Sequence, residues 1–266
     1  MISQLWNATL IASNPMFLQI MLILCYAFYS KRIALNTFYL LLLSMAINAY
    51  LKERWQIPLY PGTGESKYAF PSGHMQAATL VYLSFCLYIK RWWMWLLGTV
   101  MTVTAALAIQ HAGYHNWLEL WAGFCLAGIN AITFWYIDKF LVLRPYQYGV
   151  LFCIAQFVIT VAYVPYAPRL LFLWDILCLN LGVTMGFLLF NRASHLDNTV
   201  RVLLMLFIIA CGAVISHSAE KLAVSGPFES ASQHFMFGTF FAFAAPFIER
   251  RGRVIRMRYT HNESAI

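Results

Sequence analysis

Charge is scarce in this 266-residue chain: Asp, Glu, Lys and Arg make up 11% of the residues, whereas hydrophobic residues make up 61%. A soluble domain devotes about a quarter of its residues to charge, so this chain could not coat a water-facing surface. Its hydrophobic residues come in blocks of about 20, the length that crosses about 30 Å of hydrocarbon at about 1.5 Å per residue. We therefore expect a single membrane domain rather than one or two soluble domains.

Basic residues are lacking before Lys31. A cleaved secretory signal requires a positively charged start, so we interpret the first apolar block as an anchor with its N-terminus outside. Metal-ligand spacing is lacking too, and all six cysteines lie inside apolar blocks, which predicts neither a disulfide nor a zinc site. These cysteines are Cys25, Cys86, Cys125, Cys153, Cys178 and Cys211.

The apolar blocks predict an all-α bundle of about nine transmembrane helices, because a segment that crosses the bilayer must satisfy its own backbone hydrogen bonds. The expected spans are residues 8–28, 33–51, 69–89, 92–110, 116–137, 147–166, 170–190, 199–217 and 231–248. We divide this domain into a core at about 33–137, additional helices at about 147–248, and a basic tail at 249–266.

The basic residues indicate the orientation. Alternate connections between the spans, together with the tail, hold 13 of the 18 Lys and Arg residues. Because cytoplasmic segments carry this excess, we predict a cytoplasmic C-terminus and an N-terminus outside. The tail then lies against anionic headgroups, or acts simply as a stop-transfer anchor. This placement explains the net charge of +8 without a nucleic-acid partner.

Two histidine-containing segments fall on the predicted outer face. One reads Phe-Pro-Ser-Gly-His at residues 70–74, and the other runs from Gly113 to Gly123 and contains His115 and Glu119. A spacing of four places His115 and Glu119 on one face of a helix, where the carboxylate can orient the imidazole as in a nucleophilic site. His111, one turn earlier, is either a further ligand or an interfacial residue.

The pattern of the first segment, residues 70–74, predicts an anion-binding site. Ser72 and Gly73 precede a helix, whose first N–H groups attract anions, although Ser72 can equally serve as an N-cap. Lys52 supplies positive charge, which stabilises a phosphoryl group. Arg54 and Lys67 are either further cations of the site or solvated loop charges, whereas His74 is a candidate proton donor.

Over roughly residues 45–125, the segment Pro71-Ser72-Gly73-His74 and the pattern Gly113-x-His115-x3-Glu119-x3-Gly123 resemble the type-2 phosphatidic acid phosphatase superfamily. This superfamily includes lipid phosphate phosphatases and undecaprenyl-pyrophosphate phosphatases and is related to the vanadium haloperoxidases. The resemblance implies that His115 attacks phosphorus, that Glu119 replaces an orienting aspartate, and that His74 protonates the leaving group. It also implies that Lys52, Ser72 and the Gly73 backbone bind phosphoryl oxygens without a metal or other cofactor.

The chain departs from the family pattern at its arginines. Ala108 and Ile109 stand where the family has Ser-Arg, and Leu59 stands at the position of the first arginine. Losing one such contact can cost about 3 kcal/mol, a factor of ~100 to 1,000 in rate. Arg54, Lys67 and His111 are the possible substitutes.

We therefore expect a metal-independent hydrolase that acts on a lipid phosphate or pyrophosphate monoester at the outer face through a phosphohistidine. The resemblance implies a bacterial inner membrane, with the site facing the periplasm. A lipid phosphotransferase and a non-catalytic binder of lipid phosphates are the alternatives. A transporter ranks last, because the chain lacks paired, interrupted spans.

Overall fold

The computed structural model describes residues 10–58, 68–141, 143–163 and 172–192, and Gly238. Every regular element in these ranges is helical, and the only β-type pairing there is an isolated bridge between Pro58 and Tyr68. The elements are a 3-10 turn at Leu10–Ser13, α1 at Pro15–Leu24 followed by a π-helical turn at Cys25–Tyr29, α2 at Lys31–Trp55, α3 at Gly73–Ile89, α4 at Trp92–His111, α5 at Trp117–Leu141, α6 at Pro145–Tyr163 and α7 at Phe172–Arg192. The predicted all-α class is confirmed for this part of the chain.

Four helices are long and apolar enough to cross a membrane, namely Lys31–Trp55, Trp92–His111, Trp117–Leu141 and Pro145–Ala162. Phe17–Tyr29 and Leu173–Phe187 are shorter apolar helices, and α3 has 17 residues. Each of the first seven predicted spans overlaps a helical segment. The spans predicted at 199–217 and 231–248 lie outside the described residues, apart from Gly238. The chain has the character of a membrane protein, and the count of nine spans and the orientation stay predictions.

The chain divides into two compact units, Met1–Tyr26 with Lys31–Leu143 and Ala27–Ser30 with Arg144–Ile266. In the first unit α3 is the central helix and packs against α2, α4 and α5. Ala78, Leu80 and Val81 of α3 have no exposed surface. The flanking helices instead leave large apolar side chains exposed on their outer faces, such as Leu96 and Ile129. Helices that are apolar all round are typical of a membrane bundle.

A buried polar network joins α2, α3 and α5. The Gln76 amide nitrogen donates to the carbonyl oxygen of Ser44 at 2.8 Å and to its hydroxyl at 2.6 Å. The Asn48 amide donates to the Gln76 side-chain oxygen at 2.6 Å and to the Pro71 carbonyl oxygen at 3.3 Å. Asn130 donates to the Ser44 hydroxyl at 2.9 Å. Because unpaired polar groups are costly in an apolar interior, this network fixes the chain at Pro71, where α3 is about to begin.

Charged residues tie the same three helices together at the opposite end of the unit. Arg32 lies 2.8 Å from the Asp138 carboxylate, which also accepts a hydrogen bond from the Tyr88 hydroxyl at 3.0 Å. The Lys139 ammonium lies 3.5 Å from the centre of the Trp135 ring. Basic residues that the sequence assigns to one membrane face thus gather at one end of the unit, away from the histidine segments.

The second unit contains α6 and α7, which pack against each other. The Asn180 amide on α7 donates to the Gln156 side-chain oxygen on α6 at 2.9 Å, and both side chains are buried. Gly238 lies against α7, where a Cβ atom would be 2.6 Å from the Leu179 carbonyl oxygen. A residue larger than glycine at position 238 would therefore clash with the backbone of α7.

Candidate functional site

The two histidine segments meet at one end of the first unit. The backbone N–H of Ser72 donates to the carbonyl oxygen of Glu119 at 3.1 Å, which joins the start of α3 to the first turn of α5. Four residues after Glu119, a Cβ atom on Gly123 would lie 2.6 Å from the Ser72 carbonyl oxygen and 3.3 Å from the Gln76 nitrogen. Only glycine permits this close approach of the two backbones.

His115 and Glu119 form a buried pair. The His115 Nδ1 atom lies 2.8 Å from Glu119 Oε2, and the two residues are 8% and 3% exposed. The predicted pairing is present, although the two residues do not share a helix: His115 precedes α5, whereas Glu119 lies in its first turn. The chain bends back before α5, so the imidazole reaches the carboxylate from outside the helix.

The same bend corrects the expectation for His111, which the sequence placed on one helical face with His115. His111 is the last residue of α4, and Gly113 follows in the left-handed region with φ of 73°. Left-handed backbone ends a right-handed helix and favours glycine. His111 is exposed and belongs to a different helix from the carboxylate that His115 contacts.

Asn116 is a site residue that the sequence analysis did not select. Its side-chain oxygen accepts from the Glu119 backbone N–H at 2.9 Å. In return, its backbone N–H and side-chain amide donate to the two Glu119 carboxylate oxygens at 3.2 and 2.9 Å. This reciprocal arrangement is a capping box, whose signal is a capping residue followed three positions later by Glu. Asn116-x-x-Glu119 carries that signal.

These contacts hold the Glu119 carboxylate in one orientation. It receives hydrogen bonds from two groups of Asn116 and lies at the N-terminus of α5, where the helix dipole stabilises negative charge. An ionised carboxylate only accepts hydrogen bonds, so the proton of a neutral His115 ring resides on Nδ1. The Nε2 atom of His115 then keeps its lone pair.

The surroundings of His115 favour the neutral ring. Burial lowers the pKa of His115 below its usual value, and the positive charges of Lys52 and His74 lower it further. The hydrogen bond and the negative charge of Glu119 oppose this decrease. Because the net direction is downward, His115 is a neutral imidazole at neutral pH.

Lys52 and His74 both lie near enough for their charges to act on His115. Lys52 is half-buried in the last turn of α2, whereas His74 is exposed in the first turn of α3. Gly73 opens α3, where backbone N–H groups have no acceptor within the helix. The pair of His115 and Glu119 thus stands beside a cation, a second histidine and a helix N-terminus.

Ser72 is the N-cap of α3. It is fully buried, and its hydroxyl accepts from the Met75 backbone N–H at 3.4 Å. Its own backbone N–H donates to Glu119, as described above. The capping role that the sequence left open is therefore present, and its role in binding phosphate stays a prediction.

The sequence offers Arg54, Lys67 and His111 as possible replacements for arginine. Arg54 is exposed and makes no hydrogen bond or ion pair with any described residue, whereas Lys67 lies outside the described ranges. Ala108 and Ile109 are 0% and 2% exposed, and Ile109 packs against Met75 and Leu120. Apolar packing therefore occupies the positions at which the pattern that the sequence resembles has Ser-Arg.

Within the described ranges, no group of three or more His, Cys, Asp and Glu side chains is arranged to hold a metal ion. The arrangement that is present, an imidazole held by a carboxylate, is one that can act as a nucleophile. Comparisons with protein-family models, with curated proteins and with solved structures found no match to this chain.

Proposed function

We propose that this protein is a membrane-bound phosphohydrolase that cleaves a phosphate or pyrophosphate monoester from a lipid. The observation that carries the proposal is the buried contact of 2.8 Å between His115 Nδ1 and Glu119. That contact leaves Nε2 as the nucleophilic atom, and burial keeps the ring unprotonated. The site would face the outer side of the membrane, which is the periplasmic side if the membrane is a bacterial inner membrane.

In the proposed first step, the Nε2 lone pair of His115 forms a bond to phosphorus while the bond from phosphorus to the leaving oxygen breaks. Protonated His74 donates its proton to that oxygen. The imidazole of His115 becomes positively charged during the attack, and the Glu119 carboxylate stabilises this charge at a distance of 2.8 Å. A positioned acid of this kind contributes a factor of ~10²–10⁴ in rate.

In the second step, a water molecule attacks phosphorus and the bond to Nε2 breaks. Neutral His74 takes a proton from this water, which releases inorganic phosphate and restores both histidines. In both steps the positive charge of Lys52 would offset the negative charge of the phosphoryl oxygens, and the Gly73 N–H would donate a hydrogen bond to one of them.

Binding of lipid phosphates without turnover is the second candidate function. It is favoured by the apolar, buried side chains of Ala108 and Ile109, because these two positions supply no positive charge to a phosphoryl group. A site with fewer phosphate contacts retains ground-state binding more readily than it retains stabilisation of a transition state. A phosphotransferase would use the same phosphohistidine and pass the group to an acceptor other than water.

Phosphate release by the full-length protein in detergent tests these functions. The substrates are phosphatidic acid, phosphatidylglycerol phosphate, undecaprenyl pyrophosphate and a phosphorylated lipid A, with and without an added lipid alcohol as acceptor. His115→Ala should abolish release, whereas Thr133→Ala, an exposed position farther along α5, should not change it. Release that persists in His115→Ala would refute hydrolysis through this residue.

A further inference from the structure

A groove runs along the first unit between α4 and α5, with α3 as its floor. Helix α3 packs closely against both α4 and α5, whereas these two helices barely contact each other. The space between them has a volume of about 340 Å³, within the range of about 300–1,000 Å³ typical of small-molecule sites. Its walls include Gly98 and Val103 of α4 and Trp121 and Phe124 of α5.

The groove is long and apolar. On its floor the lining residues extend from Met75 to Cys86, about 16 Å along the axis of α3 at ~1.5 Å per residue. Aromatic, aliphatic and sulfur-containing side chains dominate, and the polar side chains among the lining residues are three threonines, Thr79, Thr99 and Thr102. With so few polar groups, the groove offers no site for a phosphate or sugar headgroup and suits hydrocarbon.

The groove begins beside the phosphoryl site. Met75, Trp117 and Leu120 line its upper end, and they directly follow His74, Asn116 and Glu119 in the sequence. Trp95 and Val103 of α4 and Trp121 of α5 are 45%, 51% and 60% exposed, so the groove is open on its outer side. Helices α4 and α5 are long and apolar enough to cross a membrane, so this open side would face lipid.

We infer that this groove holds one hydrocarbon chain of the lipid whose phosphate lies at His115. The inference rests on the proposed phosphoryl site and adds the part of the substrate that the site must recognise. A hydrocarbon chain needs no hydrogen-bond partner, which matches a lining whose polar side chains are three threonines.

Photo-crosslinking tests occupancy without requiring turnover. The probe is a single-chain alkyl phosphate with a diazirine in mid-chain, added to full-length His115→Ala protein in lipid nanodiscs. We expect labelling of residues 98–106 and 117–124 that is suppressed by the unlabelled alkyl phosphate and not by the alcohol of equal chain length. Equal labelling of Ile129 and Ile132, exposed side chains that do not line the groove, without competition would show ordinary bilayer contact and overturn the inference.

Val103 and Val100 provide a matched pair of positions for a second test. Both lie on α4 and are 51% exposed, but only Val103 lines the groove. Val103→Trp should reduce specific labelling and lower kcat/KM for a long-chain lipid phosphate about tenfold, the loss expected when roughly two methylene groups are no longer buried. Val100→Trp should change neither quantity.

A water-soluble, short-chain phosphomonoester tests the groove inference separately from the proposed hydrolase activity. The Val103→Trp protein should hydrolyse this substrate at the wild-type rate, because the short chain does not enter the groove. If the diazirine probe labels the groove specifically in the His115→Ala protein but the wild-type protein hydrolyses no substrate, the groove inference stands and the proposed hydrolase is wrong. If hydrolysis occurs but Val103→Trp affects long and short substrates equally, the groove inference is wrong and the hydrolase stands.

Discussion

Asn116 performs two tasks that substitution can separate. Its side-chain oxygen caps α5 by accepting from the Glu119 backbone at 2.9 Å, and its amide group donates to the Glu119 carboxylate at 2.9 Å. Asn116→Ser keeps a capping oxygen and loses the amide donor, whereas Asn116→Ala loses both. Thermal stability should therefore depend on whether the capping oxygen is kept, and kcat on whether the amide donor is kept.

The magnitudes follow from these contacts. Removing an N-cap costs about 1 kcal/mol, so Asn116→Ala should unfold at a lower temperature than Asn116→Ser, which should unfold close to the wild type. A hydrogen bond to a charged group is worth about 1.5–3 kcal/mol. If most of that bond supports the orientation of His115 in the transition state, both variants should lose roughly 10- to 100-fold in kcat.

The assay pairs thermal unfolding in detergent with phosphate release at saturating substrate. KM should change little, because Asn116 acts on His115 through Glu119 and has no contact with the substrate in this mechanism. If Asn116→Ser unfolds like the wild type and keeps full kcat, the Glu119 carboxylate does not need this donor. The positioning role assigned to Asn116 would then be wrong.

The remaining predictions concern packing, protonation and the opposite end of the unit. Gly123→Ala should destabilise the protein by about 1–3 kcal/mol, because its Cβ would lie 2.6 Å from a backbone oxygen at the start of α3. Gly128→Ala is the control, because no atom lies within 4 Å of the added Cβ. The unfolding temperature should fall for the first variant and not for the second. Folding lowers the pKa of His115. The contribution of this group to the free energy of unfolding should therefore be fully present above the usual histidine pKa of about 6.5. It should be lost as the pH falls below that value toward the lowered pKa of the folded state. His115→Gln should flatten that dependence. Arg32→Ala should cost about 1–3 kcal/mol by removing the contact of 2.8 Å with buried Asp138, measured as a lower unfolding temperature.

Apolar block length predicts the helices of the described ranges, because few structures other than a helix bury a backbone in hydrocarbon. The spacing of His115 and Glu119 likewise predicts their contact of 2.8 Å. The path between them is less predictable: a spacing of four suggests one continuous helix, yet Gly113 has φ of 73° and the chain bends before α5. The pair forms because Asn116 caps that helix, a local signal that spacing between charged residues does not include.

Long-range features could not be predicted from the sequence. Nothing in the pattern around Gln76 indicates that it bonds to Ser44 and Asn48, 32 and 28 residues earlier. The groove depends on α4 and α5 diverging from each other over α3, which is a property of packing among three helices. The burial of Ile109 against Met75 and Leu120 also appears only in three dimensions.

Trapping the covalent intermediate tests the central claim most directly. The full-length protein would be mixed with a phosphorylated substrate, quenched in alkali during turnover, digested, and analysed by mass spectrometry for phosphate on the peptide that contains His115. The account predicts phosphate on His115, with both the modification and phosphate release abolished in His115→Ala. Turnover at the wild-type rate in His115→Ala, or phosphate bound to another residue, would contradict it.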